Sequence, residues 1–239
     1  MQLDESTLVI VDRVVNPYLV SFHEPTGFRA EQIRGLRNKL VVMNPDGAPR
    51  TLVITSAIQG EGKSATTLNL AIAMAELEDQ HILVVDFDLR KPSVEGFLGL
   101  NRQAGLSELL MSSIPLDEAI RKTGIANFDI LGAGGRPRNP SELLASRRIE
   151  ELLGQLKERY SYVLVDTPPV LPITDAGILS GKCDGTLLVV ALEAAPRRLV
   201  KEALKNLEDL GANVLGTFVT GIRGSDAESK LRYRYIEDE

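Results

Sequence analysis

The chain contains 239 residues, of which 27 are Lys or Arg and 33 are Asp or Glu, so its formal net charge is −6. Apolar residues make up 44% and charged residues 25%, shares that fit a soluble globular protein and exclude a disordered one. A net negative chain argues against a general nucleic-acid-binding protein. The single cysteine, Cys183, excludes an internal disulfide. With only two histidines, His23 and His81, we expect no histidine-rich metal site.

Membrane and targeting signals are not predicted. The first fifteen residues carry acidic residues and no basic region before their short apolar patch, which is not typical of a secretory signal. A membrane-spanning helix needs about 20 apolar residues, and the longest apolar runs, such as 187–192, are far shorter. We therefore expect a cytoplasmic protein that does not insert directly into a membrane.

Six short runs rich in Val, Ile and Leu are predicted to be strands buried on both faces. They are residues 51–55, 82–86, 128–131, 162–166, 186–191 and 213–219. Amphipathic patterns predict helices over 64–78 and 197–210, and a further helix is predicted over 31–40. This alternation predicts an α/β fold with three layers, a mainly parallel sheet with helices on both faces.

Composition divides the chain into three parts. Residues 1–27 contain one apolar patch followed by Pro and Gly, which predicts a loose N-terminal arm. Residues 28–223 are predicted to form one domain. Residues 224–239 are polar and highly charged, which predicts a flexible C-terminal tail.

The strongest motif is AIQGEGKS at residues 57–64, between a predicted strand and a predicted helix. It matches a phosphate-binding P-loop, with Ala57 where the first glycine usually stands. Gly60 and Gly62 let the backbone N–H groups face phosphates, and the start of the following helix adds its positive dipole end. Lys63 is positioned to reach phosphate oxygens, and Ser64 to bind Mg²⁺. The alternative is a glycine-rich turn that binds nothing, which the strand and helix context disfavours.

Three aspartates end or follow predicted strands. Asp86 ends one strand with Asp88 two residues later, and Asp166 ends another. The carboxyl ends of parallel strands meet at the crevice where such sheets bind ligands, and the apolar run before Asp166 has the Walker B form, whose carboxylate binds Mg²⁺. The alternative for each aspartate is a helix cap or turn. Asp175 is interpreted as a helix cap or as a residue that supports the site.

These motifs resemble those of the bacterial tyrosine kinases (BY-kinases) of the capsule and exopolysaccharide type, over about residues 28–223. The matching segments are SAIQGEGKS, ILVVDFDLRKP with Asp86, Asp88 and Arg90, RNPSELLAS at 138–146, VLVDTPPVLPITDA, and the E-x-x-R-x-x-R motif of Glu31, Arg34 and Arg37. The related ParA/MinD ATPases share the P-loop fold but carry a signature lysine early in the loop, where this chain has Ile58. That difference favours the kinase branch.

The resemblance implies ATP/ADP and Mg²⁺ as cofactors and assigns roles to the site residues. The nucleotide is expected to contact Gly60, Glu61, Gly62, Lys63, Ser64, Ala65 and Thr66. Ser64, Asp88 and Asp166 are expected to hold the metal, and Lys63 to neutralise the transferred phosphoryl group. Asp86 is the first choice for orienting or accepting the tyrosine proton, with Asp88 as the alternative. Arg90 is expected either to contact the incoming tail or phosphate, or to form a surface salt bridge.

The resemblance also implies a substrate and an assembly. Tyr233 and Tyr235 in the tail are the expected phosphoacceptors, phosphorylated in trans within a homo-oligomeric ring held by Glu31, Arg34 and Arg37. The alternatives are an ordinary charged terminus and a solvated helix face with intrahelical pairs. A membrane-bound activator of the polysaccharide co-polymerase type is the expected partner, and it would place the kinase at the inner face of the cell membrane. The rival functions are a ParA/MinD-like ATPase switch and a nucleotide-binding adaptor without phosphotransfer.

Overall fold

The computed structural model describes residues 15–192 and 194–221. The strands in this part of the chain are β1 (Arg50–Ser56), β2 (Ile82–Asp86), β3 (Ile120–Lys122), β4 (Phe128–Leu131), β5 (Tyr162–Asp166), β6 (Gly185–Ala191) and β7 (Val214–Thr220). The helices are α1 (Val20–His23), α2 (Phe28–Val42), α3 (Lys63–Ala75), α4 (Val94–Phe97), α5 (Leu106–Leu110), α6 (Leu116–Ala119), α7 (Pro140–Ala145), α8 (Arg148–Lys157), α9 (Asp175–Ser180) and α10 (Arg197–Asp209).

The strands form one sheet in the order β3-β4-β2-β5-β1-β6-β7. Every neighbouring pair is parallel except β3 and β4, which are antiparallel. The six predicted strands are confirmed to within one residue at each end. The edge strand β3 was not predicted, because its three residues are too few to show a hydrophobic period.

Side chains of the central strands alternate between two cores on opposite faces of the sheet. In β2, Ile82 and Val84 belong to the core that contains residues of α2 and α3. Leu83 and Val85 belong to the core that contains residues of α5 and α8. Successive residues of a strand point to opposite faces, so a run of apolar residues fills both cores at once. The predicted three-layer α/β architecture is confirmed.

Helices α2, α3 and α10 confirm the three predicted helices. The predicted helix over 31–40 is the middle of the longer α2, and the helix predicted over 64–78 ends earlier, at Ala75. Within the described ranges 15–192 and 194–221, no helix has the length and apolar character needed to span a membrane.

The part of the predicted loose arm that the structure describes, residues 15–27, packs against the core. Val15 is 5% exposed and Leu19 is fully buried in the same core as α3. Asn69 of α3 accepts a hydrogen bond from the backbone N–H of Ser21 at 2.8 Å and donates one to the carbonyl of Tyr18 at 2.9 Å. The prediction of a loose segment is therefore wrong for residues 15–27, because one apolar patch and one amide side chain tie the segment to α3. Residues 1–14 lie outside the described part.

This packing predicts a stability cost for truncating the buried leucine of the segment. The substitution Leu19→Ala is expected to lower the free energy of unfolding by about 2–5 kcal/mol, because it removes buried methyl groups and leaves a cavity. Urea denaturation of the full chain measures this quantity. The control is Val42→Ala, since Val42 is 78% exposed and its truncation is expected to change stability by less than about 0.5 kcal/mol. Equal effects of the two substitutions would contradict the packing of this segment.

Candidate active site

The candidate site lies at the carboxyl ends of three adjacent parallel strands, β2, β5 and β1. Asp86 and Asp166 are register partners at the ends of β2 and β5. Strand β1 leads directly into the predicted P-loop, which ends where α3 begins at Lys63. Parallel pairing therefore brings together residues that lie 80 positions apart in sequence, at the edge where α/β sheets bind ligands.

The loop has the backbone conformation that a phosphate-binding turn requires. Gly60 and Gly62 both have φ of +89°, a left-handed conformation that favours glycine. Gly62 is the residue that precedes α3, and no described side chain caps this helix start. The first N–H groups of α3 are thus free to bind an anion. Ala57 is not among the described residues with positive φ, so alanine replaces the usual glycine there without strain.

Glu61 shapes the loop through contacts inside the protein. Its side chain is 1% exposed. One carboxylate oxygen accepts the N–H of Ile58 at 2.8 Å, and the other accepts the N–H of Ala191 at 3.1 Å. The Glu61 carbonyl accepts a bond from the Thr220 hydroxyl at 2.8 Å. The side chain therefore ties the loop to the end of β6, a role that its position in the motif alone did not indicate.

Lys63 is the cation at the centre of the site. Its ammonium lies 3.5 Å from Oδ2 of Asp88 and 3.7 Å from Oδ2 of Asp166, and it donates to the hydroxyl of Ser64 at 3.1 Å. Burial favours the neutral amine, but the charges of Asp166, Asp88 and Asp86 outweigh burial and raise the pKa of Lys63. The side chain therefore remains positively charged.

Hydroxyl groups surround the Asp166 carboxylate. Ser64 donates to Oδ2 of Asp166 at 2.6 Å and accepts a bond from the Ser93 hydroxyl at 2.9 Å. The hydroxyl of Thr67 lies 3.5 Å from Oδ1 of Asp166. Burial raises the pKa of Asp166, an effect that the charge of Lys63 opposes. Ser93 and Thr67 were not predicted as site residues; Thr67 lies one turn after Lys63, which is the only sequence signal for it.

Asp86 organises the segment that follows its own strand. Its Oδ1 accepts the N–H of Asp88 at 3.0 Å, and its Oδ2 accepts those of Ser93 at 2.9 Å and Val94 at 3.0 Å. The carboxylate thereby binds the backbone at the start of α4. Complete burial and the nearby charge of Asp166 raise the pKa of Asp86 to about 7, against the opposing effect of the N–H donors.

Asp88 lies between the phosphate loop and the segment that follows it. Its Oδ1 accepts the N–H of Lys91 at 2.9 Å, and its Oδ2 faces Lys63. Asp88 is 4% exposed. The structure therefore brings all four predicted catalytic residues, Lys63, Asp86, Asp88 and Asp166, into one buried cluster.

Arg90 and Asp175 form a hydrogen-bonded group beside this cluster. Arg90 donates to Oδ2 of Asp175 at 3.1 Å and to the hydroxyl of Ser141 at 2.9 Å, and Ser141 donates to Oδ1 of Asp175 at 2.7 Å. Asp175 is the first residue of α9 and its helix has no side-chain cap. Asp175 therefore supports Arg90 and is not a helix cap, and Arg90 forms the salt bridge that was one of its two expected roles.

The predicted assembly motif is engaged within the chain. Arg34 pairs with Glu31 of its own helix and lies 2.7 Å from Glu76 at the end of α3. Arg37 lies 2.9 Å from Glu76 and donates to the carbonyl of Ala73 at 2.9 Å. These contacts join α2 to α3, and the role of the motif between subunits stays a prediction. Tyr233 and Tyr235 lie outside the described residues.

The donor set fits a nucleotide with its metal ion. Ser64, Asp88 and Asp166 supply hard oxygen ligands, and Mg²⁺ prefers oxygen ligands while keeping several waters and binding substrate phosphates. Over 15–192 and 194–221, no group of three or more His, Cys, Asp or Glu residues forms a metal site by itself. This matches a metal whose coordination is completed by phosphate and water. With the loop and its lysine, the fold is that of a nucleotide-binding protein.

Comparison with known proteins identifies the family. The AAA domain family matches residues 50–213. The tyrosine-protein kinase YwqD of Bacillus subtilis is 32% identical over 203 residues, which cover 85% of each chain. The kinase domain of the Escherichia coli tyrosine kinase ETK superposes with a TM-score of 0.82 and 30% identity, covering 86% of this chain and 80% of that one.

The ATPase branch is also similar, at a lower level. The septum site-determining protein MinD from Pyrococcus horikoshii, complexed with Mg-ADP, has a TM-score of 0.62 and 26% identity, covering 72% of this chain and 70% of that one. Identity, coverage and TM-score are all higher for the kinase ETK. The chain belongs to the bacterial tyrosine kinases, a family of protein-tyrosine kinases with the P-loop NTPase fold.

Proposed function

We propose that this protein is an ATP-dependent tyrosine autokinase that phosphorylates Tyr233 and Tyr235 of another copy and thereby regulates exopolysaccharide or capsule synthesis and export. The observation that carries the proposal is the buried cluster of Lys63 with three aspartates directly beside the phosphate loop. Such a cluster can bind a phosphoryl group, a divalent cation and a hydroxyl nucleophile within one site.

Each residue of the cluster has a proposed role. ATP with Mg²⁺ supplies the γ-phosphoryl group and the compensating positive charge. Lys63 and the N–H groups at the start of α3 bind phosphate oxygens. Ser64, Asp88 and Asp166 would hold the metal, and the hydrogen bond between Ser64 and Asp166 keeps two of these ligands together.

The tyrosine hydroxyl has a pKa near ~10 in solution and needs help to lose its proton. In the proposed reaction the phenol oxygen forms a bond to the γ-phosphorus, the bond to the ADP oxygen breaks, and a carboxylate takes the phenol proton. Asp86 is proposed as this acceptor, with Asp88 as the alternative. Three backbone N–H groups fix the carboxylate of Asp86 and leave part of its acceptor capacity for a further partner.

The rival ATPase function is disfavoured by the residue at position 58. Ile58 packs with its side chain against the small core that contains Ala57 and Leu188. An apolar contact therefore occupies the position where the ParA/MinD relatives carry their signature lysine. The rival remains an explicit outcome of the phosphorylation assay below.

We further propose a membrane-bound activator of the polysaccharide co-polymerase type, which would bring the kinase to the inner face of the cell membrane. The support is the resemblance to the BY-kinases. We also propose a homo-oligomeric ring held by Glu31, Arg34 and Arg37. Within the chain both arginines pair with Glu76.

Removal of the phosphate-binding lysine predicts loss of phosphotransfer. The substitution Lys63→Met is expected to abolish phosphotyrosine formation with ATP and Mg²⁺, because it removes the charge that binds the transferred group.

The double change Tyr233→Phe with Tyr235→Phe is expected to remove the phosphotyrosine from an otherwise active enzyme. Mass spectrometry of the tail and anti-phosphotyrosine blots measure both.

Three results would contradict these assignments. Phosphotyrosine that persists in the double Tyr→Phe variant would show that the tail is not the main acceptor. Release of phosphate without phosphotyrosine would establish the ATPase function. Binding of ATP without either product would establish the adaptor function.

The proposed assembly predicts a change in mass. The double variant Arg34→Ala with Arg37→Ala is expected to shift the protein toward monomer in multi-angle light scattering. Glu76→Gln is the matched comparison, because it weakens the arginine contacts within the chain and keeps both arginines. If the double arginine variant has the same mass as the unmodified protein, the assembly role of the arginines is wrong.

The buried contacts of Glu61 predict that it positions the loop for the nucleotide. Glu61→Ala is expected to lower the free energy of unfolding by about 1–3 kcal/mol, because one buried and one partly buried N–H group lose their acceptor. It is also expected to weaken ADP binding. Thermal unfolding and titration with a fluorescent ADP analogue measure the two effects. Gln59→Ala, a change at a neighbouring loop position outside these two bonds, is the control. Unchanged ADP affinity in Glu61→Ala would contradict the positioning role.

A further inference from the structure

Lys91 and Arg136 are exposed basic residues that contact segments of the candidate active site. The exposed Arg138 lies two residues after Arg136, and the three residues are here called the basic rim. None of the three forms a salt bridge with any residue in the described ranges. They therefore present positive charge to solvent, in a protein whose overall charge is −6.

Lys91 connects the rim to the reacting groups. Its backbone N–H donates to Oδ1 of Asp88 at 2.9 Å, and its ammonium donates to the side-chain oxygen of Gln59 at 3.1 Å. Gln59 belongs to the phosphate loop and Asp88 faces Lys63. Lys91 thus links the phosphate loop, through Gln59, to the segment that carries Asp88.

Arg136 is held next to the same segment. It donates to the backbone carbonyl of Arg90 at 3.2 Å, two residues after Asp88. Two further hydrogen bonds hold the loop just before Arg136. Gly135 donates its N–H to Glu108 at 2.8 Å, and its carbonyl accepts the Ser107 hydroxyl at 2.7 Å. The loop position is therefore set by the fold.

Two buried or partly buried acidic residues near the rim, Asp175 and Glu108, have partners of their own. Asp175 binds Arg90 and Ser141. Glu108 accepts backbone N–H groups from both Gly105 and Gly135, at 2.8 Å each. Neither carboxylate pairs with a rim residue, so the rim is available to an acidic partner.

The chain itself supplies a complementary acidic segment. Glu237, Asp238 and Glu239 follow Tyr235 after a single intervening residue, Ile236. A fully extended chain spans about 3.3–3.6 Å per residue, so two to four residues can reach at most roughly 7–14 Å from Tyr235. Two rim residues lie close to Asp88. Lys91 donates its backbone N–H to Asp88, and Arg136 donates to the carbonyl of Arg90, two residues after Asp88. A tyrosine at the site would thus place the acids within reach of the rim.

We propose that the basic rim binds the acidic end of another copy of this chain, Glu237 to Glu239, and so positions Tyr235 for phosphorylation. The inference rests on the proposed kinase function and adds a specificity determinant to it. Opposite charges favour docking of the acidic end, whereas acceptor tyrosines without following acids lack this contact. The rim residues are positioning residues and take no part in the chemical step.

The test separates the enzyme from its acceptor in trans. The enzyme is the full chain with Tyr233→Phe and Tyr235→Phe, and the acceptor is the full chain with Lys63→Met. Initial rates of phosphotyrosine formation at Tyr235 are measured against acceptor concentration, which gives KM and kcat separately.

Two substitution sets are expected to have the same effect. Each set should raise KM about fivefold, the size expected of a few exposed charge pairs, with kcat little changed. The set in the enzyme is Arg136→Ala with Arg138→Ala. The set in the acceptor is Glu237→Gln, Asp238→Asn and Glu239→Gln. Combining both sets should add no further increase. The KM of the unmodified pair should also rise with salt, since ions screen exposed charges.

A charge exchange and a matched control complete the test. Arg136→Glu with Arg138→Glu in the enzyme should be rescued by Glu237→Lys, Asp238→Lys and Glu239→Lys in the acceptor. Lys122→Ala with Arg159→Ala is the control, because these basic residues, 72% and 46% exposed, lie near the amino ends of β4 and β5. Unlike the rim residues, they pair with acids of the chain, Asp129 and Asp117.

The outcomes distinguish this inference from the function on which it rests. Phosphorylation of Tyr235 with an unchanged KM in all variants would overturn the rim's role and leave the kinase function standing. No phosphorylation of the tail by the unmodified pair would overturn the proposed function itself. A KM increase that is equal in the control would show a general charge effect and would also overturn the rim's role.

Discussion

The active site depends on one electrostatic constraint, the burial of three carboxylates around a single ammonium. Asp86, Asp88 and Asp166 are each at most 4% exposed, and Lys63 is the only cation in contact with the pair Asp88 and Asp166 within the described residues. With all four groups charged, three negative charges and one positive charge leave −2. Buried like charges repel strongly and lose their hydration. The site is therefore built to accept further positive charge, which a divalent cation would supply.

The protein tolerates this arrangement because the backbone and hydroxyl groups compensate much of the cost. Asp86 accepts three N–H groups, and Asp166 accepts the hydroxyl of Ser64. These bonds also fix the geometry, since the backbone of residues 88–94 holds Asp86 and Asp88, while Ser64 of α3 holds Asp166. The elements that stabilise the acids are thus the elements that position them for chemistry.

Helix α3 connects this site to the rest of the molecule. Its first residue is Lys63, its middle carries Asn69, which binds the segment before α2, and Glu76 at its end binds Arg34 and Arg37. The phosphate loop, the packed N-terminal segment and the arginines of the predicted assembly motif therefore share one rigid element. A nucleotide bound at one end of α3 and a neighbouring subunit at the other would act on the same helix.

The sequence alone determined the fold class, six of the seven described strands, the phosphate loop and the four charged residues of the cluster. These features have local signals: apolar runs of strand length, a fixed loop pattern, and acids at strand ends. It did not show the packing of residues 15–27, strand β3, or the contacts of Ser93 with Ser64. Such features depend on partners far apart in the chain and have no periodic pattern.

Only the tertiary structure decided what each acid contacts. Glu61 is turned into the protein to hold the loop, Asp175 binds Arg90, and Asp86 binds the backbone before α4. The net charge of −6 therefore does not describe how charge is distributed around the site, where buried acids surround Lys63 and the basic rim stays exposed. The physical reason is that composition counts charges, whereas the fold sets their distances, their burial and their partners.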